Sequence, residues 1–149
     1  MANVELKPVH RTADYEDFWD GSVTGYDTIE WESGGETVKE SFLFDRYIAF
    51  EGDVEVARVD VEPQRTLNVK LSGLDTSEPV VDVAFIEVVA HRRRTGVGAA
   101  VVAEVVKQYP GRLVIAFSHA DDFWSGIGWT RFERLDGADG NAPLFATFG

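Results

Sequence analysis

From Val80 to Val89 the chain reads Val-Val-Asp-Val-Ala-Phe-Ile-Glu-Val-Val, an almost unbroken β-branched and aromatic run. A run of this kind, with little polar alternation, predicts a central strand buried on both faces. Beyond it the period changes. Val97, Val101, Val102, Val105 and Val106 recur at helical spacing and predict a helix through Ala99–Tyr109, stopped by Pro110-Gly111. Leu113 to Phe117 is apolar again and predicts a strand. Asp121 to Ile127 predicts a short helix closed by Gly128, a natural C′ residue. Trp129–Leu135 and Leu144–Phe148 predict two strands joined by the turn-rich segment Asp136–Pro143.

Upstream the pattern is weaker. Val4 to Val9 alternates and predicts a first strand. Thr12 suits the N-cap of a helix in which Tyr15, Phe18 and Trp19 share one face. Residues 20–36 read as a loop and Glu36–Phe44 as a second short helix. Tyr47–Glu51 and Val54–Val61 read as strands, with Gly52-Asp53 between them as a hairpin signal. Leu67–Leu71 reads as a further short strand and Ser72–Pro79 as a loop. The order predicts a mixed α/β (α+β) domain over residues 1–149. About four helices would pack on a predominantly antiparallel sheet of six or seven strands.

Composition narrows the function classes. The chain has 149 residues, 44% hydrophobic and 27% charged, a globular rather than disordered balance. No apolar run reaches the ~18 residues of a membrane span, and MANVELKPVH lacks a signal-peptide core. With no cysteine, disulfides, thiolate metal sites and a cysteine nucleophile are excluded. His10, His91 and His119 are scattered, so no metal is expected. The net charge, 14 − 26 = −12, argues against nonspecific nucleic-acid or anionic-membrane partners. The expectation is a cytoplasmic protein. Its charge is uneven: residues 1–80 hold 18 acids and 7 bases, residues 81–149 hold 8 and 7. Three of the later bases are consecutive, Arg92, Arg93 and Arg94.

Strand, basic glycine-containing turn, helix is the sequence form of an anion cradle, here Arg93, Arg94, Thr95, Gly96, Val97 and Gly98. Glycines let backbone approach closely, and the first N–H groups of the helix point at the anion. The stretch matches neither GxxxxGK[ST] nor GxGxxG. Arg93-x-x-Gly96-x-Gly98 after a long strand resembles the acyl-CoA pyrophosphate loop of the GCN5-related N-acetyltransferase (GNAT) superfamily, whose pattern is [Gln/Arg]-x-x-Gly-x-[Gly/Ala]. Downstream, Ala120-Asp-Asp-Phe123-Trp124-Ser-Gly-Ile-Gly128-Trp129 resembles that family's A-x-x-[aliphatic/aromatic]-Tyr-x-x-x-Gly-[Phe/Tyr/Trp] segment. The close likeness covers about residues 80–132.

The resemblance implies a GNAT fold and an acyltransferase, with acetyl-CoA as cosubstrate and a primary amine, small molecule or peptide, as acceptor. It allows either direct attack of the amine on the thioester or a noncatalytic acyl-CoA-binding domain, and it permits a homodimer. Val88 and Val89 would offer backbone groups to the pantetheine arm, with the Val88 N–H aimed at the thioester carbonyl from a β-bulge. Glu87, a carboxylate inside an apolar strand, is the leading candidate base, and Asp82 in the same strand the second. Phe123 and Trp124 would contact the cofactor. The departure is Trp124, where the family keeps a tyrosine as general acid; an indole N–H is no practical proton source. Residues 14–40 carry nine acids (Asp14, Glu16, Asp17, Asp20, Asp27, Glu30, Glu32, Glu36, Glu40) against one base, Lys39. Tyr15, Phe18, Trp19, Tyr26 and Trp31 are interleaved, which suits a cationic acceptor.

Overall fold

The computed structural model describes residues 2–9, 25–27, 44–75, 77–135 and 142–149. Seven strands form a sheet: β1 (Glu5–Pro8), β2 (Asp45–Glu51), β3 (Val54–Arg65), β4 (Val80–Val88), β5 (Leu113–Phe117), β6 (Thr130–Phe132) and β7 (Leu144–Phe148). Their order is β1-β2-β3-β4-β5-β7-β6. Among the described pairings only β4–β5 is parallel, so the sheet is mostly antiparallel, as expected. Two α-helices lie among the described residues, α1 (Val97–Lys107) and α2 (Asp121–Gly126). The two helices expected over 12–19 and 36–44 fall outside the described residues.

The chain divides into two compact units, Met1–Val61 with Phe85–Val105, and Glu62–Ala84 with Val106–Gly149. In the first, β2 and β3 form the expected hairpin, with Glu51 opposite Val54 and Gly52 at φ 60°. A positive φ at the first turn residue matches the right-handed twist of the strands and favours glycine there. The register then slips: Ala49 faces Ala57 but Phe50 faces Glu55, leaving Val56 as the extra residue of a bulge. The bulge turns Glu55 onto the face of Arg58, where its Oε2 accepts from Arg58 Nε at 2.8 Å. Two pairs along from Arg58, Arg46 stands opposite Asp60 and donates to it at 3.0 Å. Both arginines are buried, so these carboxylates are what makes them tolerable inside the unit.

In the second unit the ladder of β4 with β5 pairs Val81 with Val114 and Asp82 with Ile115, and β5 continues antiparallel into β7 and β7 into β6. Helix α2 ends as its sequence predicts. Gly128 has φ 86°, its N–H donates to the Ser125 carbonyl, and Trp129 N–H donates to the Trp124 carbonyl. That is a Schellman motif, which brings together the side chains that here are Trp124 and Trp129, ring centroids 4.6 Å apart. Phe145 also stacks on Trp124, ring centroids 6.3 Å apart.

Three sequence expectations change. Leu67–Leu71 is not a strand: Leu67 and Leu71 anchor it in a core with Val80, Ile115, Leu144 and Ala146, and only single bridges from Leu71 replace a ladder. Its alternation reports burial of one side without a neighbouring strand to pair. β3 runs four residues past Val61, through Pro63, whose carbonyl accepts from Arg112 Nη2 at 2.6 Å. β4 is buried only over Val80–Val83; Ala84 and Phe85 are exposed, so it is not sealed on both faces throughout.

The aromatic cluster fixes the expected cost of losing its centre. Trp124→Ala should destabilise the protein by ~3–5 kcal/mol in guanidinium unfolding. A loss below ~1 kcal/mol would remove Trp124 from the core.

Candidate functional site

The loop between β4 and α1 is built by backbone conformation as much as by side chains. Val89 N–H donates to Val56 O at 2.9 Å, a 3-10 turn covers Ala90–Arg92, and the chain then turns through Arg93–Gly96 into α1. Gly96 has φ 86° and Arg94 φ 61°. At Gly96 a Cβ would meet nothing within 4 Å, so conformation, not space, calls for glycine there. The first helical hydrogen bond runs from Ala100 N–H to Gly96 O at 3.1 Å. The N–H groups of Val97, Gly98 and Ala99 therefore have no acceptor within the helix, and no acid occupies its first turn.

The three arginines divide. Arg92 grips Glu51 of β2 with Nε on Oε1 at 2.7 Å and Nη2 on Oε2 at 2.9 Å. Arg93 folds back on the end of β4. Its Nε donates to Val88 O at 2.9 Å, Nη1 to Asp27 Oδ2 at 2.9 Å and Nη2 to Glu87 Oε2 at 3.0 Å. Arg94 is exposed and has no ion-pair partner among the described residues. Thr95 donates its hydroxyl to Arg92 O, which ties the turn to itself. So of the side chains expected to bind a cofactor, that of Arg93 is engaged with the end of β4 and Asp27, and that of Thr95 with the loop itself. Val97 is fully buried and offers only its N–H.

Glu87 is not a free carboxylate. Besides Arg93, its Oε2 accepts the Asp27 N–H at 2.7 Å. Residues 25–27 lie along the end of β4: Gly25 O accepts from Ala90 N–H at 2.9 Å, and the Tyr26 ring sits under Arg58 at 4.7 Å. A Cβ at Gly25 would stand 3.4 Å from the Val89 Cβ, and its φ is 102°. Burial first, then the neighbouring Glu55, pushes the Tyr26 phenol far above its ordinary range, which makes it a poor proton donor at neutral pH. Of the nine acids of 14–40 only Asp27 is described. Its part here, and that of Glu51, carried no local sequence signal, since each partner lies 41 or more positions away. The one available clue was that Glu87, in an apolar strand, would need a cation.

Asp82, Phe123 and Trp124 belong to the second compact unit. Asp82 is 2% exposed and paired with Arg65, whose guanidinium also lies 5.4 Å over the Phe117 ring. Burial pushes its carboxyl up from the usual range while Arg65 pulls it down and Glu62 adds to the rise. Trp124 is 3% exposed and packed, as described above, rather than turned to a surface. The same unit has a groove of about 680 Å³ lined by Leu74, Val80, Arg112, Leu113 and Phe148, which contains none of the expected site residues. Among the described residues no group of three or more His, Asp or Glu side chains is arranged to hold a metal ion, and no helix is long and apolar enough to cross a membrane.

No family model matches the sequence and no curated protein is similar to it. Solved structures are. A GNAT-family protein from Desulfovibrio desulfuricans, assigned as an acetyltransferase, shares 18% identity at a TM-score of 0.60, covering 98% of this chain and 99% of that one. The Bacillus subtilis N-acetyltransferase YlbP, solved with coenzyme A, shares 14% at 0.63, covering 99% and 97%. KacTA, solved as a DNA complex, shares 13% at 0.61, covering 97% and 92%. The fold of this chain is the GNAT fold.

Asp82 sets a pH dependence of stability. Its carboxyl is raised in the folded state relative to the unfolded one, near 3.9, so its contribution is complete below that value and lost as pH rises through the folded value. The stability of the wild type minus that of Asp82→Asn should therefore fall as pH rises above the ordinary carboxylate range in urea unfolding. A difference that grows with pH would mean that the Arg65 pair outweighs burial.

Proposed function

We propose that this chain, read as one acyl-CoA-binding domain over 1–149, is an N-acetyltransferase that transfers the acetyl group of acetyl-CoA to a primary amine. The observation that carries the reading is the loop before α1: a left-handed turn, a helix start whose first N–H groups have no acceptor among the described residues, no acid in its first turn, and Arg94 without an ion-pair partner among the described residues. These donors suit a pyrophosphate, with Val97, Gly98 and Ala99 offering N–H groups and Arg94 a charge-assisted contact. Coenzyme A in the YlbP structure supports the same ligand here.

In this reading the acetyl group arrives activated as a thioester. Glu87 takes a proton from the acceptor ammonium, the amine nitrogen bonds to the thioester carbon, and the Val88 N–H stabilises the developing oxyanion. As the C–S bond breaks, the nitrogen gives up its second proton to water and the thiolate takes one proton back from solvent, which a thiol pKa of ~8.5 permits. Glu87 is preferred to Asp82 because Asp82 is sealed under Arg65. The acceptor is a cation, small molecule or peptide, drawn by the acids of 14–40; the net charge of −12 disfavours a nucleic-acid partner, although KacTA binds DNA. Zero cysteines fit a cytoplasmic setting. A second reading, a noncatalytic acyl-CoA-binding domain, is favoured by Trp124, buried where the family keeps an acidic phenol.

The deciding experiment follows thiol release from acetyl-CoA with a panel of amines. Release with a cationic amine supports the enzyme; binding without release supports the second reading. Acetyl-CoA at a hundredfold excess over Kd should stabilise the protein by ~2.7 kcal/mol. Gly98→Glu should abolish that shift and leave the free protein folded, and an unchanged shift would place the ligand elsewhere. Glu87→Gln should lower kcat by ~10²–10⁴, and wild-type turnover would remove Glu87 from the chemistry.

A further inference from the structure

We infer that Arg93, despite standing at the first position of the pyrophosphate-loop pattern, is a positioning residue of the Glu87 carboxylate, with Asp27 completing the clasp, and that it is not a ligand of the anion. The inference rests on the proposed role of Glu87 as the base.

Arg93 spends all three of its nitrogens inward, on Val88 O, Asp27 Oδ2 and Glu87 Oε2, at 2.9, 2.9 and 3.0 Å. The two carboxylates it joins are unequal: the Glu87 side chain is 11% exposed and that of Asp27 75%. The more buried one is the one that needs a cation, because taking a carboxylate out of water without one costs several kcal/mol. Turning Arg93 outward to a phosphate would break three charge-assisted hydrogen bonds, two of them to carboxylates. Asp27 holds the same oxygen through its N–H at 2.7 Å. Its segment is in turn fixed by the Gly25–Ala90 hydrogen bond and by Tyr26 on Arg58. The clasp thus joins three separate stretches, the end of β4, the loop before α1, and residues 25–27. Its effect is to hold the Glu87 carboxylate in one orientation. Arg94, next in sequence and left-handed, points no donor at any described carboxylate, so the anion contact passes to it.

The test uses the full chain with Arg93→Gln and Arg93→Lys. Acetyl-CoA affinity is measured by calorimetry, kcat by thiol release, and exchange of the Asp27 amide by NMR. Arg93→Gln should leave the acetyl-CoA Kd within about threefold and lower kcat by about tenfold or more, the pattern of a lost transition-state interaction rather than lost binding. Arg93→Lys, which keeps a cation beside Glu87, should recover most of that kcat. The Asp27 amide should exchange at least about threefold faster in Arg93→Gln, because the carboxylate that it donates to is no longer held. A Kd raised about tenfold or more with Asp27 exchange unchanged would overturn the inference and return Arg93 to the phosphate. If wild-type protein neither binds nor cleaves acetyl-CoA, the proposed function fails, while the exchange measurement still decides the clasp: faster exchange supports it and unchanged exchange overturns it.

Discussion

A carboxylate near the end of an apolar strand has to be given a cation, and the answer at Glu87 organises the first compact unit. Arg93 reaches back six positions to meet it at 3.0 Å and takes hold of Val88 O and Asp27 on the way. The same logic recurs on β2 and β3. A bulge brings Glu55 to Arg58, and a direct cross-strand pair brings Asp60 to Arg46. Among the described residues of this unit the buried arginines are paired, Arg46 across to Asp60 of the neighbouring strand and Arg58 to Glu55 within β3 itself.

What remains uncommitted is the second consequence. Arg92 and Arg93 neutralise acids of the protein itself, which leaves one guanidinium of the basic triplet without an ion-pair partner among the described residues. That guanidinium belongs to Arg94, whose left-handed backbone costs roughly 1–2 kcal/mol for a residue with a Cβ. A cost of that kind persists where surrounding structure imposes it, and such positions cluster at ligand clamps. The second unit works by other means. Trp124, Trp129 and Phe145 form an aromatic core closed by a glycine C-cap, and the tryptophan that departs from the family pattern is part of that core.

Much of this was legible in the sequence because it is local. The strands β5 and β7, the helix stop at Gly128, the Gly52-Asp53 hairpin and the strand–turn–helix of the cradle all follow from neighbouring residues and fixed periods. The failures have physical causes of another kind. Leu67–Leu71 alternates like a strand, yet alternation records only which side is buried and says nothing of a pairing partner. The burial of β4 stops at Val83 although the apolar run goes on, since a run of apolar residues does not reveal what covers it. The roles of Arg92, Arg93 and Thr95 were invisible because they depend on partners or turns that only the folded chain supplies. Arg93 and Arg94 read alike in the sequence, yet in the folded chain Arg93 is paired with two carboxylates while Arg94 has no ion-pair partner among the described residues.

The central claim, that the left-handed turn ahead of α1 holds the anionic part of an acyl-CoA, is tested most directly by Arg94→Gly. Glycine relieves the strain and removes the guanidinium, so stability and affinity should move in opposite directions. Calorimetry should show acetyl-CoA bound about tenfold more weakly, as for the loss of one charge-assisted contact, while unfolding of the free protein shows stability unchanged or raised by up to ~1 kcal/mol. Affinity equal to that of the wild type, in a protein that folds normally, would contradict the account.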